Sequence, residues 1–197
     1  MKFCSACGSP VEVRVPDDGD HLPRHVCTVC KTIHYINPKI IVGVIPEAGD
    51  GRILMCRRNI EPRFGMWTFP AGFMEMGETS AQGAAREGLE ESQAVIEVQD
   101  LLCVITVTYV SQVYLIHRGV LPDGAVFGPT TESSEVALMA EDEIPWADIA
   151  FPTIYQSLKY FFADRAAGKA GFHTLELTRR PAREAQGEVA NWLVACG

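Results

Sequence analysis

No apolar run in this chain approaches the roughly 18 residues that a membrane-spanning helix needs. Basic residues are also few: 17 Lys and Arg against 25 Asp and Glu leave a formal net charge of -8. That balance argues against a non-specific binder of nucleic acid or anionic membrane, which works through a basic surface. Internal repeats and low-complexity tracts are absent. The opening Met1-Lys2-Phe3-Cys4 leaves no room for a secretory apolar segment, so the expectation is a reducing, cytoplasmic setting. What the chain does have is 197 residues with 47% hydrophobic side chains, enough for one good-sized core and a small appendage.

The appendage is marked by cysteines. Cys4 and Cys7 form one C-x-x-C pair and Cys27 and Cys30 a second, with nineteen residues between them. This is the spacing of a four-thiolate zinc ribbon, and a closed shell of four thiolates makes the ion structural. A ribbon of about 36 residues builds little core of its own and depends on its metal. Cys56, Cys103 and Cys196 have no partner spacing, and the first two lie in apolar runs that read as core. Of the histidines, His34 and His117 sit in strand-like runs and read as structural, with His21, His25 and His173 scattered.

Beyond Asn37-Pro38 the pattern changes. KIIVGVIP (39–46) and RILMCRR (52–58) read as a hairpin-like pair of strands. WTFPAGF follows, with Pro70 and Gly72 as breakers, and then a helix over about 79–92 that Thr79 or Glu78 can cap. Further strands are expected at 95–109, 112–121, 134–140 and 172–180. A second helix over 153–167 opens at Pro152 and repeats Ile154, Leu158, Phe161 and Phe162 at helical spacing. The expected division is a ribbon over 1–36, a main domain over 37–181 and a tail or weak helix over 182–197. Mixed strands with a helix following a loop suggest an α/β/α sandwich.

The chemistry concentrates on the first of these helices. Glu87, Glu90 and Glu91 stand at i, i+3 and i+4 and share one helical face, where like charges repel. Their convergence wants a divalent cation such as Mg2+ or Mn2+. Ala81, Ala85 and Leu89 form an apolar stripe roughly opposite, so the expectation is that the stripe is buried and the acids presented. Arg86 is expected to pair with Glu78 or a neighbouring carboxylate.

Gly72, Glu78, Arg86, Glu87, Glu90 and Glu91 fall in one register: five residues separate Gly from Glu, seven more precede Arg-Glu, and Glu-Glu closes the segment. This spacing resembles the Nudix box. Gly88 stands where that pattern has an apolar side chain, Gln93 where it has Gly, and Ala94 as a small version of its last apolar residue. Gly88 costs about 1 kcal/mol of helix stability relative to Ala, and Gln is a poor residue for a left-handed helix end. The likeness continues through FCSACGSP, HYINPKIIVG, RRNIEPRFGMWTFPAGFMEMGE and DEIPWADIAFPTIYQSL, covering residues 3–181. Those stretches resemble zinc-ribbon Nudix hydrolases that include FAD and ADP-ribose pyrophosphatases.

The resemblance implies a mixed-sheet α/β/α Nudix fold and metal-dependent hydrolysis of a pyrophosphate bond. It implies Mg2+ or Mn2+ on Glu87, Glu90, Glu91 and the Ala71 carbonyl, and a further acid outside the box, for which Glu135 is preferred to Glu132. Arg57, Arg58 and Arg63 are candidates to meet substrate phosphates, and Phe64, Trp67 or Tyr109 to stack on a base or flavin ring, with core packing the competing reading for Trp67 and Phe64. The SQPWPFP-like segment of the NADH-selective branch is absent. That favours FAD or ADP-ribose over NADH; the alternatives are a broad-range pyrophosphatase acting on NADH, other dinucleotides or triphosphates and, of another class, a non-catalytic binding protein. The expected partner is a small nucleotide, not nucleic acid or membrane, and the ribbon with the first main-domain strand offers a surface for a homodimer.

Overall fold

The computed structural model describes residues 1–179 and a strand at 192–196. The chain forms two compact units, Met1–Pro38 and Lys39–Gly197. In the first, β1 (Val11–Arg14), β2 (Arg24–Cys27) and β3 (Ile33–His34) make an antiparallel three-stranded sheet. Its buried residues are Cys4, Pro16, Val26 and Cys27, two of them cysteines.

The second unit is built on a mixed sheet. Its strands are β4 (Lys39–Glu47), β5 (Ile53–Arg58), β6 (Trp67–Thr68), β7 (Ala71–Phe73), β8 (Glu97–Val107), β9 (Gln112–Val120), β10 (Ser133–Met139), β11 (His173–Arg179) and β12 (Trp192–Cys196). The order is β10-β5-β4-β9-β8-β11-β12, with β4 parallel to β9 and β8 parallel to β11. Alternation along the strands sends side chains to two cores. Val42, Val44 and Leu54 face one side with Ala84 of α1 (Ser80–Ser92). Ile45, Ile53 and Met55 face the other with Ile154, Leu158, Phe161 and Phe162 of α2 (Pro152–Ala166). A helix on each face of the sheet is the expected α/β/α sandwich.

Two expectations are corrected. The hairpin of β4 and β5 pairs only at Glu47 and Ile53 and then splays. Into the opening come β7, paired with Ile41, Val42 and Gly43 of β4, and β6, paired with Cys56 and Arg57 of β5. This wedge carries Ala71 and Gly72 to α1. At the other end, 180–191 lies outside the described residues, while Trp192–Cys196, expected as tail or weak helix, pairs antiparallel with β11.

Candidate active site

The box helix is oriented by its small residues. Gly83, Ala84, Glu87, Gly88 and Glu91 are buried, whereas Leu89 of the expected apolar stripe is 52% exposed. The expectation of acids outward and stripe inward therefore fails for Glu87, Glu91 and Leu89 and holds for Glu90, which is exposed. A Cβ on Gly83 would lie 2.8 Å from Val42, and one on Gly88 would overlap the Ile96 side chain. Glycine lets α1 approach the sheet closely enough to bury two glutamates on that face. Gly72 serves the same end from β7, since a Cβ there would overlap the Glu87 carboxylate.

Thr79 starts the helix. Its hydroxyl accepts from the Gln82 amide at 3.2 Å, and the Gln82 side chain accepts from the Thr79 amide at 2.9 Å. Glu78 is then free to accept from the Glu75 amide at 2.7 Å and from Arg86 at 2.9 and 3.0 Å. Arg86 also donates to Glu87 and Glu90 at 2.8 Å each and to the Phe73 carbonyl at 3.0 Å. One guanidinium thus ties together the loop, the turn and two box acids. Its hydrogen bonds hold the Glu78 carboxyl down to about 2.

Glu91 has less compensation. It accepts from the Ala71 amide at 3.1 Å, yet burial pushes its carboxyl up to about 8. Burial also raises Glu87, against the pull of Arg86. Arg86 reaches Glu87 but forms no ion pair with Glu91, so two desolvated carboxylates favour recruitment of more positive charge, and oxygen donors of this kind suit Mg2+ or Mn2+.

At its other end the helix stops at Gln93, which adopts a left-handed φ of 62° despite being a poor residue for it. Its side-chain amide donates to the Pro129 carbonyl at 2.6 Å. With Gly128 N–H donating to Ser92 O at 2.9 Å, this ties the 128–133 loop to the helix end. That loop carries Glu132.

The acids open into a cavity of about 700 Å³. Glu87, Glu90, Glu91, Arg86 and Glu132 line it together with Val107, Tyr109, Tyr114, Phe151, Ile154 and Leu177. Arg58 lies between these groups in character: it is 9% exposed, donates to Pro62 O at 3.0 Å and holds its guanidinium 5.2 Å from the Phe151 ring centre.

In the ribbon, the sulfurs of Cys4, Cys7, Cys27 and Cys30 all lie within 4.8 Å of one another. The pairs Cys4–Cys30, Cys7–Cys27 and Cys7–Cys30 stand at 3.6, 3.5 and 3.4 Å. These lengths exclude disulfides, whose S–S distance is about 2.05 Å. They approach the edge of about 3.8 Å expected of a tetrahedron with Zn–S near 2.3 Å. The Val29 and Cys30 amides each approach Cys27 Sγ at 3.4 Å, and His34 Nε2 lies 3.2 Å from Cys4 Sγ, as outer partners of a thiolate site.

The NUDIX domain family model matches residues 37–162, and the Nudix N-terminal zinc-ribbon model matches residues 2–36. The chain belongs to the Nudix family. This Nudix protein is 51% identical to a NUDIX hydrolase from Nitrosomonas europaea whose crystal structure is known, with a TM-score of 0.83, covering 88% of this chain and 97% of that one. It is 38% identical over 98 residues to an NAD-capped RNA hydrolase NudC from Edwardsiella ictaluri, covering 49% of this chain but 35% of the relative. A MutT-like protein from Streptomyces ambofaciens is 36% identical over 104 residues, covering 53% of this chain and 64% of the relative. The chain thus spans about a third of the length of the NudC relative it matches.

The sequence-based candidates divide. Arg58, Arg63 and Tyr109 line the Nudix cavity with the box acids and Ala71. Trp67 does not: it is 8% exposed and packs in the α2-side core. Arg57 donates to Gly65 O at 2.9 Å and lies 3.6 Å from Glu135, and neither lines the cavity. Phe64 is 61% exposed and outside it. Tyr114, Phe151 and Thr153 line it without having been singled out, because residues in apolar runs or at a helix start carry no signal separating cavity wall from core. Among the described residues no helix is long and apolar enough to cross a membrane.

Proposed function

We propose that this Nudix protein hydrolyses the pyrophosphate bond of a nucleoside diphosphate derivative, FAD to FMN and AMP or ADP-ribose to ribose phosphate and AMP. The observation that carries this reading is the junction, in one cavity, of a buried acid cluster with an apolar, ring-rich wall. A diphosphate between two large groups can engage both parts, while the absence of the NADH-branch segment favours FAD or ADP-ribose.

We assign Mg2+ or Mn2+ to Glu87, Glu90, Glu91 and the carbonyl of Ala71, whose amide already meets Glu91. Such ions neutralise phosphate charge and lower the pKa of a bound water. Arg86 keeps the acids oriented through its five hydrogen bonds. For the acid outside the box, the cavity favours Glu132 over Glu135. Its carboxylate takes a proton from the attacking water, a new P–O bond forms, the bridging P–O bond breaks and two phosphomonoesters leave. Arg58 and Arg63 are the cations assigned to the diphosphate, and Tyr109 is a stacking residue. The four cysteines hold a structural Zn2+.

NAD-type dinucleotides are the second reading, favoured by the NudC relative. A Mg2+-dependent product screen decides. FMN plus AMP, or ribose phosphate plus AMP, supports the first reading, and NMN plus AMP supports the second. Release of inorganic pyrophosphate from a triphosphate as the best reaction replaces both, and absence of any hydrolysis favours a binding protein.

A further inference from the structure

The four ribbon thiols are not equivalent. Cys4 and Cys27 are 3% and 1% exposed, whereas Cys7 and Cys30 are exposed to solvent. The turns explain the division. In each C-x-x-C pair the first cysteine stands at the foot of a turn, where its amide donates to the Ser9 or Thr32 carbonyl at 2.8 or 2.9 Å, and the second is carried on the turn itself. Of the three close sulfur pairs, the shortest joins the two exposed atoms: Cys7 and Cys30 stand 3.4 Å apart, against 3.5 Å for Cys7 and Cys27 and 3.6 Å for Cys4 and Cys30.

The thiolate is both the zinc ligand and the nucleophile, so a zinc site keeps its sulfurs in the form that peroxide attacks, and access then decides which is hit. Only Cys7 and Cys30 offer that access. For either of them the nearest resolving sulfur is the other. Cys27 is almost as close to Cys7, but it is buried and held by the Val29 and Cys30 amides at 3.4 Å each. Cys4, the alternative for Cys30, is buried with His34 Nε2 at 3.2 Å from its sulfur. Closing the Cys7 to Cys30 gap of 3.4 Å to the roughly 2.05 Å of a disulfide needs the smallest movement of the three.

We propose that Cys7 and Cys30 are a peroxide-oxidation site that couples disulfide formation to release of the ribbon's metal. The proposal is independent of the hydrolase reading and rests on the assignment of zinc to the four cysteines. Hydrogen peroxide is the oxidant. The Cys7 sulfur attacks one peroxide oxygen, the O–O bond breaks and hydroxide leaves, giving a sulfenic acid. The Cys30 thiolate then attacks the sulfenic sulfur, the S–S bond forms and a second hydroxide leaves, so two sulfurs lose two electrons in all and both peroxide oxygens end as water after taking up protons. With two of four ligands gone the ion dissociates, and Cys4 and Cys27 take up protons as thiols. The disulfide joins the two turns, so a dithiol reductant with added zinc restores the site.

The test uses the full zinc-loaded chain, freed of reductant and treated with hydrogen peroxide. A chromogenic chelator follows zinc release, and acid-quenched alkylation with peptide mass mapping locates the oxidised cysteines. About one Zn2+ per chain should be released, with Cys7–Cys30 the main disulfide. Cys4 and Cys27 should be recovered as alkylated thiols, as should Cys56 and Cys103, both 0% exposed. Dithiothreitol with zinc should reverse the change. Retention of zinc in about tenfold excess peroxide, or a main disulfide that contains Cys4 or Cys27, overturns the proposal. Zinc content before peroxide is scored separately: a zinc-free parent that still forms Cys7–Cys30 removes the metal assignment and leaves the oxidation site, whereas a zinc-loaded parent that pairs other cysteines does the reverse.

Discussion

The Ala71 backbone amide donates to Glu91 Oε2 at 3.1 Å across twenty residues of sequence, joining β7 to the most buried of the box helix's acids. The contact orients a carboxylate that burial would otherwise drive toward its neutral form. Glu91→Gln keeps the volume and removes the charge, so turnover should fall by about 10² or more while the fold persists. Mg2+ titration of parent and variant, with circular dichroism as control, checks this. Parent-like turnover of every dinucleotide by the variant would remove Glu91 from the metal site.

Glu132 and Glu135 separate cleanly by position. Glu132 lines the cavity on a loop tied to the end of α1, whereas Glu135 lies 3.6 Å from Arg57 with about half of its side chain exposed. Glu132→Gln should lower kcat by at least about 10², the lower range for loss of a general base. Glu135→Gln should stay within about twofold, as an exposed pair contributes little. The opposite ranking in steady-state kinetics would return the role to Glu135.

Gly88 tests the burial of the box helix. An isolated helix would gain about 1 kcal/mol from Gly88→Ala. Here the new methyl meets Ile96, and overpacking of this kind costs about 1–3 kcal/mol. Gly88→Ala should therefore destabilise in urea unfolding, and Ile96→Val should recover part of the loss in the double variant. Simple stabilisation by Gly88→Ala would contradict the close approach of α1 to Ile96.

That glycine also shows where the sequence was legible. The register of Gly72, Glu78 and the Arg86 to Glu91 cluster places the acids on one turn-and-helix unit, because spacing alone determines a helical face. Which face is buried was misread, since an amphipathic reading looks for apolar side chains while α1 buries its smallest ones. The second helix was legible because Ile154, Leu158, Phe161 and Phe162 are large, apolar and all buried. The splaying of β4 from β5 left no local signal, as it depends on the Trp67–Phe73 wedge entering from later in the chain. Likewise Trp67 and Tyr114 are both aromatic residues in strand-like runs, and only tertiary packing sends one to the core and the other to the cavity.

The ribbon should contain about one Zn2+ per chain, because four sulfurs within 4.8 Å satisfy its tetrahedral preference. Cys27 is 1% exposed and accepts from two backbone amides, so Cys27→Ser should lose zinc and loosen residues 1–38 while leaving the main unit folded. Elemental analysis and amide hydrogen exchange check both halves. A zinc-free parent, or a Cys4–Cys27 disulfide by mass mapping, would refute the assignment.

Acid stability should register the Arg86–Glu78 pair. Glu78 has its folded pKa lowered from 4.5 to about 2, chiefly by hydrogen bonds from Arg86. The unfolded chain therefore binds the proton more readily, and the pair's contribution is present above pH 4.5 and lost as pH falls toward 2. Glu78→Gln removes that titration, so its stability relative to the parent should be lowest above pH 5 and converge with it on acidification. Urea unfolding of both proteins from pH 7 to the lowest pH at which each still folds measures the difference directly. A gap that stays constant from pH 7 to pH 3 would show that Glu78 acts through shape and not through its charge on Arg86.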